Sequence, residues 1–417
     1  MKKLLSIVTA FSIVASMLLT GCGSGSTEVT DDTARSETTT ETAEIVEEAS
    51  DYEQTYDFSK TALEYVPEMK IGWNLGNSLD SVGTGLASET SWGNPKVTKE
   101  LIDSVKEAGF DTVRVPVTWM GHFGEAPDYT IDEEWFARVA EVVDYCIEND
   151  MYVIINLHHD GNDTDQAWLN CEPEDEEAML DKYAKLWTQI ANYFEGYGDH
   201  LMFAGMNEFH HGYNNPTSEY TRLTGKINQL FVNTVRATGG NNASRYLIVQ
   251  AYNTNAQQAY ENLEIPNDTI ENHIIVEVHF YDPWSFAGEG SGDWGQYGTE
   301  TDSWGQEDWV EQVCAMMKER FIDDAGVPVI IGEYGATRTK DTSKSDYRRY
   351  YIEYVTKTMK EYGLLPIFWD NGYDGISGEG FGLFDRLTAE NIHPELTEAI
   401  MRAASGEDYE IEPPVTE

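Results

Sequence analysis

Eight short apolar runs constrain this chain more than any other feature. They fall at residues 69–75, 112–117, 152–157, 201–206, 246–250, 274–279, 327–332 and 365–369. Their apolar residues are consecutive rather than alternating, the pattern of strands buried on both faces in a parallel sheet. Amphipathic helical stretches separate them at 99–108, 133–148, 176–194, 219–237, 307–321 and 346–362, with a last one at 395–403. The connection over 254–262 carries the weakest helical pattern. Parallel strands need covered crossovers, and about eight strand–helix units imply closure into an α/β, (β/α)8 TIM barrel. We see no second linker or internal repeat, so 58–406 reads as one domain, a size at which such barrels occur.

The flanks are of a different kind. Lys2-Lys3, an apolar stretch over 4–19 and Leu19-Thr20-Gly21-Cys22 read as a lipoprotein signal over 1–22, with Cys22 the acylated first residue. Residues 23–57 are Gly, Ser, Thr, Glu and Asp with almost no aromatics, a disordered linker, and 407–417 form an acidic C-terminal tail. Two or more acyl chains anchor stably, so the expectation is an extracellular, cell-surface lipoprotein of a bacterium, monomeric, touching membrane only through that anchor. No other segment is long and apolar enough to span.

Charge and cysteine content narrow the partners. The chain carries 27 basic and 74 acidic residues, a net charge of -47, which repels nucleic acid and favours a neutral partner. Without Cys22 the cysteines are Cys146, Cys171 and Cys314, an odd number without CxxC spacing. That argues against a disulfide framework or a structural zinc, while leaving one bridge open. Eleven Trp and 24 Tyr are many for any chain; the core takes many of them, but flat rings also suit the apolar faces of sugars.

In a TIM barrel, chemistry sits at the C-terminal ends of the strands. The residues there are Asn74 and Asn77, Arg114, His158-His159-Asp160, Asn207-Glu208, His279 and Tyr281, Glu333-Tyr334, and Trp369-Asp370. Two Glu, an Arg, several His, amides and a Trp form a set for acid/base chemistry on a carbohydrate. Glu208 ends an apolar run, where burial would raise its pKa and suit it to be the acid.

The motifs IGWNLGNSLD, DTVRVPVTW, VIINLHHD, AGMNEFHH, EVHFYDPW, PVIIGEYGAT and IFWDNG, in this order, resemble glycoside hydrolase family 5 over residues 70–393. The likeness is greatest to its bacterial endo-β-1,4-glucanase branch, which includes xyloglucanases and lichenases. The resemblance implies hydrolysis with retention, Glu208 as acid/base and Glu333 as nucleophile. It places Arg114 beside Glu333, keeping it ionised, with Tyr281 donating to the same carboxylate. Glu208 has no such cation in the pattern and would hold its proton. Asn207 matches the residue on the 2-hydroxyl, His158 and His279 the histidines that bind hydroxyls and tune the carboxylates, and Trp369 the sugar platform. His159, Asp160, Asn74, Asn77, Trp284, Trp168 and Trp304 would serve neighbouring subsites, and Trp119, Trp187 and Trp309 packing. Tyr334 and Asp160 stand where the family often has Phe and Glu, which leaves the sugar contact of Asp160 open.

The substrate implied is a neutral β-glucan, namely cellulose, mixed-linkage glucan or xyloglucan, with no cofactor or metal. Xylanase or mannanase activity on the same scaffold is the alternative. A metal-dependent barrel hydrolase using His158-His159, His210-His211 and His279 is disfavoured, because Ile71-Gly72-Trp73-Asn74 offers no first-strand histidine. A glycan-binding lipoprotein on a decayed barrel is disfavoured by retention of both Glu with Arg114, Asn207 and Tyr281.

Overall fold

The computed structural model describes residues 57–417 apart from 84–87, 162–166, 213–214, 299–303, 377–378 and 416–417. The signal, Cys22 and nearly all of the linker lie outside the described residues. The strands are β1 (Gly72–Leu75), β2 (Thr112–Val115), β3 (Tyr152–Asn156), β4 (Leu201–Ala204), β5 (Leu247–Asn255), β6 (Ile274–Phe280), β7 (Val329–Tyr334) and β8 (Leu365–Asp370). Each pairs in parallel with the next and β1 pairs with β8, closing the barrel. The helices in chain order are α1 (Ala62–Tyr65), α2 (Lys99–Glu107), α3 (Glu133–Glu148), α4 (Glu176–Tyr193), α5 (Ser218–Ala237), α6 (Ala256–Asn262), α7 (Trp284–Ala287), α8 (Glu307–Met317), α9 (Asp346–Glu361) and α10 (Pro394–Ala404).

All eight apolar runs are strands, and the differences are local. The first run begins too early, because Pro67 opens a 3-10 turn over Val66–Met69 and Lys70, at φ 46°, redirects the chain. The weak connection after β5 is helical: Asn255 caps α6 by accepting the N–H of Gln258 at 3.0 Å. The helix expected over 307–321 ends at Met317 and continues as a wider π turn.

Burial on both faces gives two cores. Ile154, Met202, Ile248, Ile275, Ile330 and Ile367 fill the barrel interior, together with Tyr65 and Met69 from the segment before β1. Their neighbours in sequence, such as Val153, Phe203, Val249, Val276 and Ile331, pack in the layer shared with the helices. The segment before β1 plugs the N-terminal end of the barrel. Tyr65 stacks on Tyr246 at 4.1 Å and donates to the Asp199 carbonyl at 2.6 Å, while a His273 ring nitrogen meets the Phe58 carbonyl at 3.0 Å. The C-terminal ends of the strands are therefore left for the site. Up to Val415 the acidic tail lies along α9: Arg349 donates to the Glu412 and Pro413 carbonyls, and Asp346 accepts from the Val415 N–H.

Candidate active site

The site is built around Arg114, which is fully buried at the centre of the barrel mouth. Its Nη1 donates to Glu333 Oε1 at 2.9 Å and Asn74 Oδ1 at 3.0 Å, and its Nη2 to Asn207 Oδ1 at 2.6 Å. Its Nε lies 2.9 Å from Glu277 Oε1. One cation thus fixes residues from β1, β6, β7 and the end of β4. Asn74 also donates to the Gly332 carbonyl at 2.8 Å and is wholly buried, which corrects its expected sugar contact: it orients Arg114 instead. Asn207 gives its oxygen to Arg114, so its NH2 group faces away from the guanidinium.

Glu333 is held at both oxygens, because the Tyr281 hydroxyl donates to Oε2 at 3.1 Å. Burial, with the charges of Glu333 and Glu208, keeps the Tyr281 pKa well above its ordinary value, so it remains a donor. Glu208 is held differently. It takes φ 39°, a left-handed conformation that costs a non-glycine residue about 1–3 kcal/mol. Its N–H donates to Thr254 Oγ1 at 3.0 Å, and Thr254 and Asn253 are themselves left-handed where β5 slips register against β6. The β6–β7 register shifts between Val278 and His279, and the β7–β8 register between Ile331 and Tyr334. Irregular pairing of this kind re-aims side chains, and here it flanks His279 and Glu333.

His279 joins the two carboxylates. Its Nδ1 lies 2.9 Å from Glu208 Oε1 and 3.7 Å from Glu333 Oε2, and its Nε2 lies 3.4 Å from Glu277 Oε1. A carboxylate oxygen of Glu208 and one of Glu333 are within 4.8 Å of each other.

The electrostatics of the site correct one expectation. Burial opposes charge on His279, but Glu333, Glu208 and Glu277 outweigh it and raise the pKa to about 9. Burial likewise pushes Glu208 up, yet the hydrogen bond and charge of His279 reverse the sign and hold it below its ordinary value. For Glu333 burial prevails over His279 and Arg114 and raises the pKa. Glu208 was expected to be the raised carboxyl and Glu333 the lowered one. The reason is that Glu208 does have a cation: His279, 71 residues away in sequence, donates to it. The proton of the resting site therefore sits on His279.

His158 is the opposite case. Asn156 Oδ1 accepts the Val117 N–H at 3.0 Å, which turns its NH2 toward His158 Nδ1 at 3.1 Å. Nδ1 must then accept and Nε2 carry the hydrogen. Burial, then the charges of His159, Arg114 and His279, keep the ring neutral, with a pKa well below its ordinary value. Trp369 lies parallel to it, centroids 6.0 Å apart and planes 5° apart. A Cβ on Gly76 would meet the Trp369 ring at 2.8 Å, so glycine there lets the indole lie over the β1 turn.

The remaining expected residues spread outward. His159 stands edge-on to Trp92 at 5.2 Å, and Trp92 is 43% exposed. Trp284 is 46% exposed, edge-on to Tyr281 at 5.9 Å, and Trp304 rests on Trp309 at 5.5 Å. Asn77 forms a left-handed turn, its N–H on Asp80 Oδ2 at 3.1 Å. Asp160 is buried and accepts the Trp119 N–H and the Trp168 indole N–H, each at 2.7 Å. It anchors a loop rather than meeting sugar, and burial raises its pKa to about 6. His210 faces the Glu208 carbonyl and braces that turn. Trp119 and Trp187 are core, and Cys146, Cys171 and Cys314 are buried free thiols, so the one bridge left open does not form among them.

Sequence reasoning missed Glu277, Gln250, Thr254 and Trp92. Glu277 had a readable signal, a carboxylate set between the apolar Ile274-Ile275-Val276 and Val278 of β6. Among the described residues, two trios bring metal-type ligand atoms within 4.8 Å, Asp80–His158–His159 and Glu208–His279–Glu333. Neither donor set fits an ion well. Asp80 already accepts the Asn77 and Ser78 N–H groups, His158 Nδ1 faces Asn156, and the second trio holds a protonated His279 and is paired to Arg114.

Comparison with known proteins bears on this geometry. The sequence profile of the cellulase family, glycosyl hydrolase family 5, matches residues 79–375. The chain is 40% identical to an endoglucanase A of Paenibacillus barcinonensis over 364 residues, 82% of this chain and 90% of that protein. A family 5 xyloglucanase from Paenibacillus pabuli, solved with ligand, superposes with a TM-score of 0.79 at 41% identity, covering 82% of this chain and 99% of that one. A broad-specificity endoglucanase from Bacteroides salanitronis superposes equally, TM-score 0.79 and 41% identity over 83% and 96%.

Proposed function

The chain belongs to glycosyl hydrolase family 5, and from that premise we propose that it cleaves internal β-1,4-glucosidic bonds with retention, Glu333 attacking and Glu208 moving the proton. The observation that carries this reading is the separation of the two carboxylates. Carboxylate oxygens of Glu208 and Glu333 within 4.8 Å of each other fit the separation of about 5–5.5 Å used by retaining enzymes better than the about 6.5–9.5 Å of inverting ones.

The proton moves as follows. At rest His279 holds it, and Glu208, Glu277 and Glu333 face two cations, Arg114 and His279. When a glucan chain displaces water from the mouth, Nδ1 passes the proton 2.9 Å to Glu208 Oε1. Glu208 then protonates the leaving oxygen while Glu333, aimed by Arg114 and Tyr281, bonds to the anomeric carbon. With Glu333 esterified, the Glu208 carboxylate takes a proton from water, the hydroxide attacks the same carbon, and Glu333 leaves. One carboxyl serves both half-reactions. Asn207 presents its NH2 to the 2-hydroxyl, neutral His158 donates from Nε2, and Trp369 stacks under the reacting sugar.

The substrate proposed is a β-1,4-glucan backbone. The xyloglucanase and broad-specificity relatives, and the exposed Trp92, Trp284 and Trp304, favour a mouth that accepts decorated or mixed-linkage chains. The proposed setting is the cell surface, with Cys22 acylated, 23–57 a tether and the chain monomeric. Purified protein on carboxymethylcellulose, mixed-linkage glucan and xyloglucan should lower viscosity well before reducing ends accumulate and release β-anomers first. Release of α-anomers, or turnover confined to xylan or mannan, would reject the assignment.

A further inference from the structure

We propose that Glu277, a fully buried carboxylate behind Glu208 and Glu333, is a positioning residue that holds Arg114 and His279 so that Glu333 and Glu208 face one reacting bond. The inference rests on the assignment of those two glutamates above. Glu277 Oε1 lies 2.9 Å from Arg114 Nε and 3.4 Å from His279 Nε2, and Oε2 accepts from Gln250 Nε2 at 2.6 Å. Gln250 is fixed in turn by donating to the Met206 carbonyl at 2.9 Å. Glu277 thus backs both Arg114 and His279, the cations that hold Glu333 and Glu208.

The backbone is shaped to admit it. A Cβ on Gly332, the residue before Glu333, would fall 1.9 Å from Glu277 Oε1. Glycine at 332 therefore makes room for this carboxylate. For stability alone an apolar side chain would serve a buried strand as well or better, since the desolvation of a buried ion pair consumes much of its attraction. Burial does oppose its charge, but Arg114, then His279, outweigh it and hold Glu277 below its ordinary pKa, so it is ionised.

The consequence is electrostatic and directional. A carboxylate at Nε2 demands a hydrogen there, and Glu208 at Nδ1 accepts the other, so Glu277 favours the doubly protonated ring that supplies the acid. Besides Glu277 on its own strand, His279 faces Glu208 after β4 and Glu333 on β7, feels the charge of His158 on β3, and is bordered through those carboxylates by Arg114 on β2, neutral Gln250 on β5 and Tyr281 just after β6. Of these, Glu277 is the carboxylate with no part in bond making.

The test is Glu277→Gln. The new amide keeps the shape but removes the negative charge that faces His279 Nε2 and Arg114 Nε, so the doubly protonated ring loses its stabilising carboxylate. Titration of the His279 ring by 15N NMR should shift down by about one to three pH units. The alkaline limb of kcat should move with it, kcat at neutral pH should fall about 10–100-fold, and KM should stay within about twofold. A wild-type His279 titration, or a loss of kcat equal at all pH, would overturn the proposal. Should this variant not fold, Gly332→Ala displaces the same carboxylate and must lower the His279 titration, and an unchanged titration overturns the proposal equally. Near-wild-type turnover in Glu208→Ala or Glu333→Ala would instead refute the underlying assignment and leaves the NMR titration readable.

Discussion

Glu208 combines a left-handed backbone with a hydrogen bond from a distant loop, and that pairing makes Thr254 a sensitive position. Thr254→Val keeps the shape but strands the half-buried Glu208 N–H, at about 1 kcal/mol. We expect a lower melting temperature and a kcat reduced about tenfold, measured on the same preparation. The pKa of His279 makes a separate prediction. It is raised from 6.5 to about 9, so the stability it contributes is complete below 6.5 and lost as pH climbs through about 9. Denaturant unfolding should weaken over that window, and His279→Gln should flatten the decline. The sequence displayed Glu208 and Glu333 at the ends of two buried strands, but not the His279 contact. Residues 71 apart become neighbours only through barrel closure, and the expected pKa directions were reversed for that reason.

At the level of elements, the strands were legible because both faces are buried, leaving consecutive apolar residues in place of alternation. The register shifts were not legible: nothing in Tyr252-Asn253-Thr254-Asn255 beyond an asparagine marks two left-handed residues in a strand. Those shifts are what aim the side chains, so the identity of the site was readable and its aim was not. The close approach of β1 and β8 is open to test. Gly76→Ala would press a methyl into the Trp369 ring, and we expect KM to rise several-fold with the fold intact by circular dichroism. Trp187, buried between α4 and β4 with its indole N–H on the Gly205 carbonyl, bears on stability instead. Trp187→Ala should cost about 3–5 kcal/mol of unfolding free energy.

For the whole molecule, the sequence carries a net charge of -47 while the proposed substrate is neutral. Charge then gives no steering, and kcat/KM on xyloglucan should stay flat between low and physiological salt, where a charged ligand would show a steep dependence. The closed barrel also explains why a reading of strand ends worked: parallel strands deliver all their C-terminal residues to one mouth, so the eight ends could be pooled before any contact was known. It could not assign Asn74 and Asp160, which stand at the same ends but face inward to Arg114 and to Trp168. The central claim is that Glu333 forms a covalent bond to the sugar. A 2-deoxy-2-fluoro-β-cellobioside with an activated leaving group should inactivate the enzyme, and mass spectrometry should find one added cellobiosyl unit on the peptide carrying Glu333. Label on any other residue, or inactivation without label, would contradict the account.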